Sequence, residues 1–179
     1  MKKFLSTLFV CVALSGVSVA QEPNFSQFFS SPLTLNPALT GKFDGVYRFA
    51  ANYRNQWPTI SNAYTTMTAS IDMGIMKNRV PDFDQFGVGF MAYSDKAGDG
   101  ALNSPYLGLS VAYHKALDEN GYHQIGAGFQ GTYMNKRLDT EKLTFEDQLT
   151  PFGFTGVTSE SFSAREVNLH YFDLNAGFI

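Results

Sequence analysis

The chain has 179 residues, with 13 Lys and Arg against 16 Asp and Glu, a net charge of −3. That balance leaves no basic footprint for nucleic acid, and a single cysteine excludes a disulfide framework and a thiolate metal site. With 17 Phe, 9 Tyr and 16 Gly at a mean hydropathy of only −0.13, the composition suits short alternating strands and fits helical bundles badly.

Residues 1–20 read as a secretory leader. Lys2 and Lys3 form a basic start, Phe4 to Leu14 an apolar run, and Ser18-Val19-Ala20 places small residues where a signal peptidase cuts. The run is too short for a spanning helix, which needs about 20 apolar residues. Cys11 follows Val10, whereas a lipoprotein box wants Gly or Ala there. Cleavage before Gln21 removes two lysines and no acid, so the mature charge becomes −5 and no cysteine remains.

Residues 21–44 form an arm. Pro23, Pro32, Pro37 and Gly41 punctuate it, while Phe25, Phe28, Phe29, Leu33 and Leu35 make it apolar enough to pack. It reads as extended and rich in turns, preceding the sheet.

From residue 45 the pattern changes to segments of about ten residues that alternate strictly. Val46 to Gln56 sets Tyr47, Phe49, Ala51 and Tyr53 against Arg48, Ala50, Asn52, Arg54 and Gln56. Tyr64 to Ile75 sets Met67, Ala69, Ile71 and Met73 against Thr66, Thr68, Ser70 and Asp72. Phe86, Val88, Phe90 and Ala92 oppose Gly87, Gly89 and Met91; Leu107, Leu109, Val111 and Tyr113 oppose Gly108, Ser110, Ala112 and His114. Ile125, Ala127, Phe129 and Tyr133 oppose Gln124, Gly126, Gly128, Gln130 and Thr132. In the last segment, from about Val167, Leu169 and Tyr171 are out of phase with Phe172, Leu174, Ala176 and Phe178, which predicts a bulge or a later strand start.

A soluble sandwich alternates in the same way with its apolar face inward. Glycines on the polar face and tyrosines at the ends of the apolar faces favour a membrane barrel, with its crowded interior and aromatic girdles. Tyr47, Phe49, Met67, Ile71, Phe90, Leu109 and Phe129 should then face lipid, and Arg48, Asn52, Thr68, Asp72, Gly89, Ser110 and Gln130 the interior. A turn near residue 60 places Arg48 opposite Asp72. The links, near 57–63, 76–85, 94–105, 117–122 and 135–165, partly follow the short-and-long alternation of outer-membrane barrels.

Candidate chemistry is sparse. Ser110 and His114 share a face but are ~13 Å apart along a strand, and no Gly-x-Ser-x-Gly elbow is present. Asp95 to Gly100 lacks the oxygen spacing and closing Glu of a calcium loop. No catalytic residue, metal or cofactor is expected. Arg48, Arg54 and Asp72 form a candidate lumen charge network for a partner, or simply a cross-strand ion pair that fills the interior. Trp57, at the first hairpin tip, is either an interface girdle residue or a partner contact.

Several motifs carry a resemblance. Gln21 to Phe28, Leu35-Asn36-Pro37-Ala38-Leu39-Thr40-Gly41 and Tyr53-Arg54-Asn55-Gln56-Trp57 resemble the opening of PorP/SprF proteins, as do the strand from Tyr64 to Asp72, Gly87-Val88-Gly89-Phe90 and Tyr171-Phe172-Asp173-Leu174-Asn175. The resemblance implies a non-enzymatic outer-membrane protein of Bacteroidota serving type IX secretion or gliding. Its implied partners are outer-membrane lipid, the C-terminal domain of a secreted surface protein, and periplasmic subunits of the secretion machinery. Members of that family are considerably longer, so the chain is expected to be a fragment. The expected fold is all-β: an antiparallel transmembrane β-barrel present as an incomplete open sheet of about six strands, with leader 1–20, arm 21–44 and partial barrel 45–179. An outer-membrane solute channel, a lipid-modifying barrel enzyme and a soluble sandwich are the alternatives.

Overall fold

The computed structural model describes residues 25, 27–59, 64–75, 83–98 and 101–179. The leader expected over 1–20 lies outside the described residues. No described helix is long and apolar enough to cross a membrane, a test that does not bear on strands.

Six strands make one antiparallel sheet: β1 (Tyr47–Gln56), β2 (Tyr64–Ile75), β3 (Gln85–Ala97), β4 (Leu102–Ala116), β5 (Gln124–Asp139) and, after a two-strand hairpin of β6 (Leu149–Thr150) and β7 (Gly153–Phe154), β8 (Glu166–Phe178). Each of the six pairs with its neighbour in chain order, and among the described residues the sheet is not closed, because β1 pairs there only with β2 and β8 only with β5. This is the expected incomplete barrel. The pairing Arg48↔Asp72 also falls where the turn near residue 60 puts it.

The alternation separates the two faces as expected. On the convex face Phe49 is 68% exposed and Leu109 66%, whereas on the concave face Thr68 is 4% exposed and Ser110 3%. The sheet is therefore inside out relative to a soluble sandwich. A Leu or Phe left in water forgoes roughly 1.5–3 kcal/mol of burial, so rows of them across five strands are stable only under an apolar cover.

Three details depart from the sequence reading. The third, fourth and fifth strands are longer than expected, and the link between β3 and β4 shrinks to 98–101, closed by Gly98 at φ +64° and by the Ala101 amide donating to Gly98. Ser94, Asp95 and Lys96 are polar on both parities, so hydropathy stops marking the strand there while the backbone ladder continues. Asp95 to Ala97 are thus strand rather than loop. In β8 no bulge occurs: its register with β5 is unbroken from Asp139↔Glu166 to Ala127↔Phe178. Tyr171 simply faces inward, where it lines a cavity.

The arm departs most. Its described part is not extended but folded into a 3-10 turn (Phe28–Ser30), one helical turn α1 (Pro32–Leu35) and a second 3-10 turn (Pro37–Leu39). Nor does it merely precede the sheet. It lies across the concave face, where Leu33, Ala38 and Thr40 are almost fully buried.

Candidate functional site

The concave face is built around the arm. Asn36 caps the second 3-10 turn, its Oδ1 accepting from the Ala38 amide at 2.9 Å, and Pro37 occupies the first position of the turn, where a missing N–H costs nothing. The Asn36 Nδ2 donates across to the Phe178 carbonyl on β8 at 3.0 Å. The Thr40 hydroxyl donates to Ser110 Oγ at 2.9 Å, and His114 Nε2 meets the Ala38 carbonyl at 2.6 Å. A carbonyl only accepts, so His114 must donate from Nε2. Asn52 Nδ2 donates to the Ser30 carbonyl at 3.1 Å. Strands β1 and β4 thereby hold the arm through its backbone, and β8 holds it through the Asn36 side chain.

Glycines let the arm come this close. A Cβ on Gly87 would collide with the Thr40 carbonyl and the Gly41 backbone, and one on Gly128 with the Pro37–Ala38 peptide. Side chains at these inward positions would lift the arm off the sheet.

Arg48 and Asp72 form the charged node. Arg48 Nε donates to Asp72 Oδ1 at 3.0 Å and Nη2 to Oδ2 at 2.7 Å, a bidentate pair. Nη2 also donates to the Leu39 carbonyl at 3.0 Å, and the guanidinium lies 4.8 Å from the centre of the Phe43 ring. The Gly41 amide donates to Asp72 Oδ2 at 2.7 Å, with Gly41 at φ +73°. Asp72, 1% exposed, is therefore the point where β1, β2 and the arm meet.

Arg54 shares this face but stands six positions further along β1, ~20 Å away at the strand rise. Its Nη2 donates to Gln56 Oε1 at 2.6 Å. The structure thus brings Arg48 and Asp72 together and leaves Arg54 at the far end of the strand. Trp57 follows β1 at φ +60°, half-exposed, with its ring edge-on to Tyr64 at 5.9 Å.

At the end of the sheet where the arm enters, Asp84 precedes β3 and accepts from the Tyr113 hydroxyl, from the Ala116 amide at 2.8 Å and faces Lys115 Nζ at 3.8 Å. The Tyr113 bond foremost, then the amide, hold its carboxyl below the usual range. At the opposite end, a cavity of about 630 Å³ opens above α1, bordered by Phe28, Leu33, Tyr93, Gln130, Lys136 and Asp173.

The link from β5 to β8 projects from that second end. It is structured: Asp147 accepts from the Thr158 hydroxyl at 2.9 Å, the Ser159 amide at 2.6 Å and the Ser159 hydroxyl at 3.0 Å. These bonds, the amide first, hold its carboxyl below the ordinary value. Phe145 stacks on Phe162 at 5.7 Å, while Phe152 and Phe154 stand exposed. Among the described residues no group of three His, Cys, Asp or Glu is placed for a metal. Ser110 and His114, the nearest approach to a nucleophile and base, are each engaged by the arm.

Sequence reasoning named Asn36, Thr40, Gly41 and His114 but did not bring them together as the contact between arm and sheet. The signal for them was present: an Asn-Pro cap in the arm, and glycines on the inward parity of β3, β5 and β8.

Over residues 17–179 the chain matches the family described as type IX secretion system membrane protein PorP/SprF. No curated protein and no solved structure matches it. The match takes in nearly the whole chain, so the chain belongs to the PorP/SprF family and is a membrane component of the type IX secretion system.

Proposed function

We propose that this secretion component resides in the outer membrane, performs no catalysis, and supports export or surface anchoring of a protein partner through the loop 140–165. One observation carries the reading. The arm is seated on the concave face through Arg48, Ser110 and His114, so this part of the polar interior serves to hold the chain's own N-terminal segment rather than to pass solutes. What remains free for a partner is the outer end, where the loop is pinned by its own hydrogen bonds yet presents Phe152 and Phe154 to solvent. Aromatic side chains on a rigid frame are the usual anchors of protein recognition. In this arrangement the convex aromatic rows face lipid, the loops after β1, β3 and β5 are external, and the Arg48–Asp72 pair is a lumen filler that locks the arm.

The test replaces residues 140–165 with a short Gly-Ser turn. Asn135 to Asp139 must be kept, because they are β5. The protein should still fractionate with the outer membrane while a secreted surface protein is lost from the cell. Normal surface display in this deletant would overturn the loop assignment. A conducting pore for the intact protein in bilayer recordings would favour the channel reading instead.

A further inference from the structure

The convex face carries a depression that the secretion role does not use. In one cross-strand row Ala51, Ala69 and Ala92 pair in turn and continue into Leu107 and Tyr133. The rows on either side are larger: Phe49, Ile71, Phe90 and Leu109 toward the arm-entry end, Tyr53 and Met67 toward the loop end. The result is an open, almost wholly apolar groove of about 750 Å³, within the size range of small-molecule sites.

Its loop-end margin is cationic. Two positions beyond Ser94 and Pro105, the convex row runs Thr65, Lys96, Asn103, Arg137. Lys96 and Arg137 stand two strands apart, ~10 Å at the usual strand spacing, which long side chains can bridge to one ligand. With its side-chain amide turned to accept, Asn135, which borders the groove, holds Arg137 through Nε and Nη2 at 3.1 Å each. Neither cation forms an ion pair among the described residues. The carboxylates on this margin, Asp139 and Glu166, lie two register positions further out, and Asp139 has Lys142 at 3.9 Å.

From this juxtaposition we infer that the groove binds a phosphorylated lipid of the outer leaflet, an acyl chain lying along Ala51, Ala69 and Ala92 and the phosphate held by Lys96 and Arg137. An apolar trough alone would be solvated by any lipid; two cations at its mouth, without an ion pair among the described residues, select for anionic headgroups, and basic residues at membrane surfaces do this in general. The stems of Lys and Arg lie along the apolar wall while their heads reach the polar layer. The inference rests on the outer-membrane placement proposed above.

The probe is bis-phosphorylated lipid A, added to the full chain purified in mild detergent, with bound lipid counted by native mass spectrometry and the dephosphorylated glycolipid as comparison. The intact protein should prefer the phosphorylated form. Changing both cations (Lys96→Ser with Arg137→Ser) should weaken its binding by about tenfold or more and remove the preference. Filling the groove with Ala69→Phe and Ala92→Phe should weaken both lipids alike. Heat-modifiable migration in gels reports whether each variant still folds, so the cation pair tests the idea even if the groove variants do not fold. Equal binding of both lipids by the intact protein, or unchanged binding in the cation variant, overturns it. So does protection of the groove by a second protein chain rather than by lipid. Membrane fractionation separates the two readings: a protein found outside the outer membrane sinks the placement, whereas one found there with no lipid preference sinks this site alone.

Discussion

Arg48 and Asp72 face each other across the first hairpin, and the bidentate pair they form is closed by the arm, whose Gly41 amide donates to the same carboxylate. The pair is thus a joint between a local hairpin and a segment that returns to it from the N-terminal side. Removing one buried partner leaves the other uncompensated, which costs about 3–5 kcal/mol, whereas removing both is far milder. Asp72→Ala should therefore destabilise the detergent-solubilised protein by about 3 kcal/mol, and the double change with Arg48→Met by clearly less. Unfolding in denaturant checks both. Additive losses would show that the two residues act separately.

The glycine contacts make a second expectation. Gly87→Val and Gly128→Val each insert a Cβ into arm backbone, and overpacking of this kind costs about 1–3 kcal/mol. The strands can keep their register, so the arm should be what moves. A cysteine placed at Ala38, fully buried here, should resist maleimide in an otherwise unchanged chain and become labelled when either valine is added. Equal protection in all three proteins would mean that the arm is not seated on these glycines.

The faces and the first register were legible because they depend on period-two alternation and on one turn, both local. The arm's path was not. Contacts such as Thr40 to Ser110 and Ala38 to His114 span about seventy residues, and nothing in the arm's own composition names their partners. Strand ends were hidden for a different reason. Beyond Tyr93 both parities become polar, and beyond Tyr133 the outward row turns to Asn135 and Arg137, so the ladder runs on where the hydropathy signal has stopped. The inward parity of Leu169 and Tyr171 looked like a bulge, yet the register is unbroken and Tyr171 lines a cavity instead of facing lipid.

Trp57 separates two roles by substitution. Its φ of +60° is a conformation that non-glycine residues adopt at a cost, and its ring packs edge-on against Tyr64. If its role is packing at the rim, Trp57→Phe should keep stability within about 0.5 kcal/mol and Trp57→Gly should lose at most about 1 kcal/mol, because relief of strain offsets the lost ring contact. Export of a partner should be unchanged in both. Loss of export with stability intact would instead make Trp57 a partner anchor.

Asp147 gives the loop a dependence on pH whose sign can be worked out. Its carboxylate accepts from the Ser159 amide and from the Thr158 and Ser159 hydroxyls, and these bonds lower its pKa from 3.8. A depressed pKa means that the folded loop binds this proton less readily than the unfolded one does. Its contribution is therefore complete above the ordinary carboxylate range and is lost as the pH falls through and below 3.8. At neutral pH the segment around Thr158 should resist proteolysis, and it should open reversibly in acid. Asp147→Asn keeps the shape but weakens the charge-assisted bonds, so it should loosen the loop at neutral pH and flatten the acid response. Opening in acid that is identical in this variant would assign the transition to other carboxylates, with the Glu141–Arg165 ion pair at 2.8 Å the next to test.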